Sequence, residues 1–180
     1  VMQYHGYPAK GTGSHSYKWD GKTLTAQFEH EYDWANMPAR YDGTNAADFD
    51  GVARLMSDLG VAVDMQYAED GSGSYISDLV AAMQKYFGYS KISHQMSIEA
   101  GSAEEWNEKL RGEIDANRPV LYAAFDSIGG GHAFVIDGYK DDSFSVNWGW
   151  GGLCNGFYHI GGLNPQNEEG RPVARRENVG

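Results

Sequence analysis

Cysteine is all but missing from these 180 residues: there is one, Cys154. No disulfide can close within the chain, and no Cys-x-x-Cys pair exists to hold a metal or cycle between redox states. Basic residues are scarce as well. Fourteen Lys and Arg stand against 25 Asp and Glu for a net charge of −11, with no stretch concentrating the cations, so a nucleic-acid partner lacks its electrostatic footprint. No apolar run approaches the roughly 18 residues a membrane helix needs. The best, Val120 to Phe125, is strand-sized, and no membrane span is expected. Residue 1 is Val with no basic and apolar leader following it, so any targeting segment is expected to have been removed or to lie outside this chain.

Glycine and aromatic rings are what the sequence has in quantity. There are 24 glycines, nearly twice the usual share of about 7%, and aromatics make up 13% of the chain, too many large apolar rings for a disordered segment. The length suits about one domain with a real core. Ten of the glycines fall between Gly129 and Gly162, a density that signals tight turns and close backbone approach around a site.

Helical periodicity fills the first two thirds. Phe49, Val52, Leu55, Met56 and Leu59 recur at helical spacing after cap candidates Thr44 and Asn45, with Gly60 as the C-cap candidate. A second helix is expected from an N-cap at Ser77 through Leu79, Val80, Met83, Tyr86 and Phe87 to Gly88. A third starts at the capping box Ser102-Ala103-Glu104-Glu105, buries Trp106, Leu110 and Ile114, and ends at Asn117 and Pro119. Thereafter Val120 to Phe125, His132 to Tyr139, Ser143 to Trp148 and Gly156 to Ile160 read as strands of an antiparallel sheet. The opening segment to Asn36 carries weak hints of short strands. The expected fold is α+β, with a helical lobe over about residues 1–118, a β lobe over about 119–180, and a cleft between lobes as the natural ligand position.

Within the β lobe, Gly129-Gly130-Gly131 places His132 at the start of a hydrophobic strand behind backbone too slim to block a substrate. An imidazole there suits general acid or base work. A hairpin at Lys140 to Ser143 would bring Asn147 and Trp148 near that ring, as an orienting amide and an apolar shield for a thiol-type enzyme. Cys154, the one thiol, lies in the turn-like Leu153-Cys154-Asn155-Gly156 and not at a helix N-terminus, which makes it a poor nucleophile. His5, His15 and His30 match no metal-ligand spacing and read as surface or turn histidines; His94 and His159 have no partner visible in sequence. No metal and no cofactor is called for.

The run Gly130 to Gly138 (GGHAFVIDG), Val146 to Gly152 (VNWGWGG) and Gly156-Phe157 resembles the streptopain family of bacterial papain-like cysteine peptidases. So do Met2 to Pro8 (MQYHGYP), Gly60 to Met65, Phe87 to Tyr89, His94-Gln95 and Leu163 to Pro165. The resemblance implies a secreted endopeptidase made as a zymogen with a propeptide, a helical left lobe, a β-barrel-like right lobe and a site between them. By the same resemblance His132 is the catalytic base, and the ring-orienting role is shared by Asn147 and Trp148. Trp150 is an active-site tryptophan, and Gly131 and Ser72, or Ser74 in its place, line the substrate cleft. The family's nucleophilic cysteine precedes the stretch matched by Met2 to Pro8, so it is expected about two helical turns before Val1, in an upstream segment that partners this chain. The chain by itself is then expected to be inactive, and its substrates in the complete protein are proteins and peptides. A noncatalytic carbohydrate- or peptide-binding domain, built on the 5 Trp and 12 Tyr as a stacking platform, is the alternative from another class.

Overall fold

The computed structural model describes residues 1–37, 49–69, 71–90, 92, 101–125, 131–163 and 165. The cap candidates Thr44 and Asn45, His94, the glycines at 129 and 130 and the tail from Gln166 lie outside them. The chain divides into two compact units, Met2–Ser93 and His94–Glu177, the second also taking in Val1. None of the described helices is long and apolar enough to cross a membrane.

The first unit opens with helix α1 (Met2–His5), which buries Met2 while Tyr4 and Tyr7 stay exposed. Strands β1 (Ser14–Trp19) and β2 (Lys22–Gln27) form the hairpin only hinted at in the sequence. Its turn is Asp20-Gly21, both at positive φ (47° and 71°), which matches the right-handed strand twist. Helix α2 (Phe49–Ala62) packs on both strands and on helix α3 (Ile76–Phe87). Gly60 does not cap α2; it lies inside the helix. A β-carbon there would run into the Tyr67 hydroxyl, so close packing, not a left-handed turn, favours the glycine. Helix α3 starts two residues earlier than expected, with Tyr75 as N-cap in place of Ser77, and it ends as expected at Gly88 in the left-handed conformation. Phe28 and Phe87, both fully buried, anchor the apolar core of this unit with Tyr86, Met83 and Leu55.

One polar cluster penetrates that core. Asp58, the one buried charged residue among those described, accepts a 2.9 Å hydrogen bond from the Tyr32 hydroxyl and pairs at 2.7 Å with His30 Nε2. His30 is therefore half-buried and partnered, not a bare surface histidine. His15 likewise pairs with Asp64 at 2.6 Å. Burial first, and then the bond to Asp58, pushes the Tyr32 hydroxyl above its ordinary range. Burial and neighbouring Tyr7 push Tyr89 up to about 12.

In the second unit the Ser102 hydroxyl caps helix α4 (Ala103–Asp115), accepting from the Glu105 amide at 3.2 Å. The helix packs on β3 (Val120–Phe125) and β4 (Gly131–Lys140), so it belongs with the sheet, whereas the sequence reading counts it with the helices before it. Strands β5 (Ser143–Asn147) and β6 (Gly156–Tyr158) complete an antiparallel sheet of order β3-β4-β5-β6. No β3–β6 pairing closes it among the described residues. The barrel-like expectation is corrected to an open sheet: a four-stranded sheet with a three-residue edge strand leaves its ends far from each other. Asp137 is the extra residue of a bulge between Ile136 and Gly138. Leu110 of α4 meets Phe134, Ile136, Phe144, Val146 and Trp148 in the core.

The raised tyrosines predict an alkaline weakness. Tyr32 and Tyr89 ionise more readily in the unfolded chain than in the folded one. Their contribution to stability is full below pH 10 and is lost as pH rises through the folded values. Denaturant midpoints measured from pH 9 to 12 should fall with pH, and Tyr89→Phe should flatten part of that slope.

Candidate active site

The register of β4 against its neighbours builds the site. Alternation along β4 turns His132, Phe134 and Ile136 to the core face, and Gly131, Ala133 and Val135 away from it. His132 is the outermost of the three and only half-buried, so its ring stands at the margin of the core. On the next strand Val146 lies opposite Ile136 and Asn147 opposite Val135, which brings Trp148, just past the end of β5, level with Phe134. The rings of Phe134 and Trp148 are 4.8 Å apart.

Trp148 meets the imidazole in two ways. Its ring lies 6.1 Å from that of His132 at an interplanar angle of 23°, and its backbone carbonyl is 2.8 Å from His132 Nε2. A carbonyl oxygen only accepts, so Nε2 carries a proton in this bond and Nδ1 of the neutral ring holds the lone pair. Trp150 adds a second indole, 5.0 Å from the imidazole and 5.5 Å from Trp148, nearly parallel to the latter at 16°. Tyr158 closes the stack edge-on against Trp148 at 5.4 Å. The Trp148 indole N–H is itself buried without a hydrogen-bond partner. Such a ring pile excludes water from one side of the imidazole and offers π faces to an imidazolium.

Asn147 is placed by the same register. Paired with Val135, it is one residue out of phase with His132 and lies on the opposite face of the sheet. Its Oδ1 accepts from the Gly149 amide at 3.0 Å. The polar contact to His132 Nε2 comes from the Trp148 carbonyl, a backbone atom that no reading of side-chain types could have singled out. Gly131, next to His132, is exposed. Ser72 is exposed on the α2–α3 connection of the first unit, beside the Gln66–Gly73 bridge, and Ser74 donates to the Val63 carbonyl. Thus His132, Trp148, Trp150 and Gly131 share the second unit, while Ser72 belongs to the first.

Cys154 is half-buried against the aromatic core of the second unit. It sits in a turn at φ 61°, and its carbonyl accepts from the Tyr158 hydroxyl. No helix begins there to favour a thiolate. Among the described residues no group of three or more His, Cys, Asp or Glu side chains is placed to hold a metal ion.

Comparison with known proteins identifies the family. The sequence profile described as the peptidase C10 family matches residues 1–158. The chain belongs to the peptidase C10 family. Streptopain of Streptococcus pyogenes is 34% identical over 176 residues, covering 92% of this chain and 44% of that protein. The thiol protease/hemagglutinin PrtT of Porphyromonas gingivalis is 34% identical over 172 residues, covering 92% of this chain and 20% of that protein. This C10 member thus spans less than half the length of the curated relatives it matches. Active interpain A, a cysteine protease of Prevotella intermedia, superposes with a TM-score of 0.83 at 38% identity, over 92% of this chain and 72% of that one. A prointerpain A fragment superposes with a TM-score of 0.78 at 37% identity, over 89% and 53%. The fold is α+β and papain-like, the family is one of bacterial cysteine peptidases, and the streptopain resemblance holds.

The carbonyl contact makes a direct prediction. In nitrogen-15 spectra of the side chains, neutral His132 should appear as the Nε2–H tautomer. A dominant Nδ1–H form would show that the Trp148 carbonyl is not its partner.

Proposed function

We propose that the complete protein is a cysteine endopeptidase in which His132 is the general base and acid. The observation that carries this reading is the 2.8 Å bond from His132 Nε2 to the Trp148 carbonyl, because it leaves Nδ1 free to take a proton. The nucleophile is a cysteine in residues that precede Val1.

Nδ1 takes the thiol proton, and the thiolate attacks the carbonyl carbon of the scissile peptide. The imidazolium, held by the Trp148 carbonyl and flanked by two indoles, gives that proton to the departing amine as the C–N bond breaks. Water, deprotonated by the same Nδ1, then cleaves the thioester and releases the acid product. Trp148 orients the base through its carbonyl and shields it with its ring; Trp150 completes the shield; Gly131 and Ser72 contact substrate. Asn147 supports the base through the backbone.

The remaining proposals follow the family. The whole chain is one catalytic domain, its substrates are proteins with an apolar residue near the cleaved bond, and it is exported as a zymogen whose propeptide is removed. The paired indoles face each other and the imidazole instead of presenting a flat platform, which favours this reading over a sugar-stacking module.

A peptidase assay on the complete polypeptide tests it. A thiol-directed peptidyl inhibitor should abolish activity, His132→Ala should lower kcat/KM by about a thousandfold or more, and Cys154→Ala should stay within about twofold of the parent. Proteolysis that persists in His132→Ala, or that vanishes in Cys154→Ala, would contradict the assignment.

A further inference from the structure

Three hydrogen bonds converge on the backbone at Trp148. His132 Nε2 donates to the Trp148 carbonyl at 2.8 Å, the Gly149 N–H donates to Asn147 Oδ1 at 3.0 Å, and the Trp148 N–H donates to Asn155 Oδ1 at 3.1 Å. The Trp148 carbonyl and the Gly149 N–H belong to one planar peptide unit, so holding the N–H aims the carbonyl. Asn147 performs that task from the neighbouring position. The other side of Trp148 needs a holder as well, because only with both flanking peptide planes held are φ and ψ of Trp148 fixed together, and with them the direction of its carbonyl relative to β5.

Strand pairing does not supply that holder. The β5–β6 ladder ends at Val146 opposite Gly156. Beyond it the chain leaves the sheet through a loop in which Gly149, Gly151, Gly152 and Cys154 all take positive φ. These turns bring the chain back so that Asn155, seven residues on, faces the Trp148 N–H. Its side-chain carbonyl occupies the place of the next ladder acceptor. The donor belongs to a residue only 4% exposed, where a lost partner is felt most.

We infer that Asn155 is a positioning residue for the base: its Oδ1 holds the Trp148 N–H and thereby keeps the Trp148 carbonyl aimed at His132 Nε2. It touches neither substrate nor imidazole. The inference deepens the peptidase reading and rests on it for its catalytic consequence, though the geometry of the imidazole can be read without any assay of activity.

The test uses the complete polypeptide carrying Asn155→Leu, which removes the acceptor at similar size, and Asn155→Asp, which keeps it. Asn155→Ala carries the same test if leucine proves intolerable in the loop. In Asn155→Leu the His132 spectrum should change from a single Nε2–H tautomer to a mixture. Its kcat should fall about 10- to 100-fold, the usual cost of losing an outer orienting partner, with KM within about threefold. Asn155→Asp should restore the single tautomer and bring kcat within about threefold of the parent. A single Nε2–H tautomer and an unchanged kcat in a folded Asn155→Leu would overturn the inference, as would a mixture that Asn155→Asp fails to correct. If the parent has no thiol-dependent activity but the tautomer responds as described, the positioning role stands and the peptidase reading falls.

Discussion

The bond between the Trp148 carbonyl and His132 Nε2 is the contact to which the rest of the second unit is subordinate. It decides which imidazole nitrogen keeps a lone pair, and so which way the ring can accept a proton. Its geometry depends on strand register. A slip of one residue between β4 and β5 would replace Trp148 by Asn147 on the His132 face and turn both indoles to the other side of the sheet. The core therefore has a second function besides stability: packing Phe134, Ile136, Val146 and Trp148 together holds the register that places the carbonyl. Arg111 ties the hairpin end of the same two strands to α4, bonding Glu104 at 3.2 Å and Asp142 at 3.0 Å.

The first unit is organised on a different principle. Its aromatic core surrounds a carboxylate, Asp58, whose Oδ2 accepts from a tyrosine and pairs with a histidine. Removing one partner from such a cluster leaves a buried polar group unsatisfied, which costs about 1–3 kcal/mol, so the cluster fixes how α2 seats against the segment that follows β2. The His15–Asp64 pair does similar work between β1 and the end of α2, nearer the surface.

Much of this was legible in the sequence, for physical reasons that can be traced. Helices α2, α3 and α4 declare themselves through apolar spacing, and the Ser102 cap through a hydroxyl three residues before a glutamate. The sheet strands are short β-branched and aromatic runs between glycine and aspartate turns. His132 with Trp148 and Trp150 stands out because a glycine-rich approach to one imidazole beside paired indoles has no ordinary packing rationale. What the sequence could not carry was phase and backbone chemistry. Asn147 and Trp148 are adjacent letters, yet the pleat sends them to opposite faces, and the atom bonded to the imidazole is a main-chain oxygen of a kind present at every position. Gly60 reads as a cap in the sequence because the Tyr67 hydroxyl that crowds it comes from beyond the end of the helix. Asn155 looked like a turn residue, since an Asn-Gly pair signals a turn whether or not its amide holds another backbone group.

The central claim is that His132 activates a thiol supplied by residues preceding Val1. The measurement that tests it most directly is the pH dependence of the rate at which a chloroacetamide alkylates the complete polypeptide, compared between the parent and His132→Asn. An imidazole-paired thiol should react rapidly from well below neutrality. The variant should react only as pH approaches about 8.5, the ordinary thiol range. Superimposable profiles for the two proteins would contradict the account.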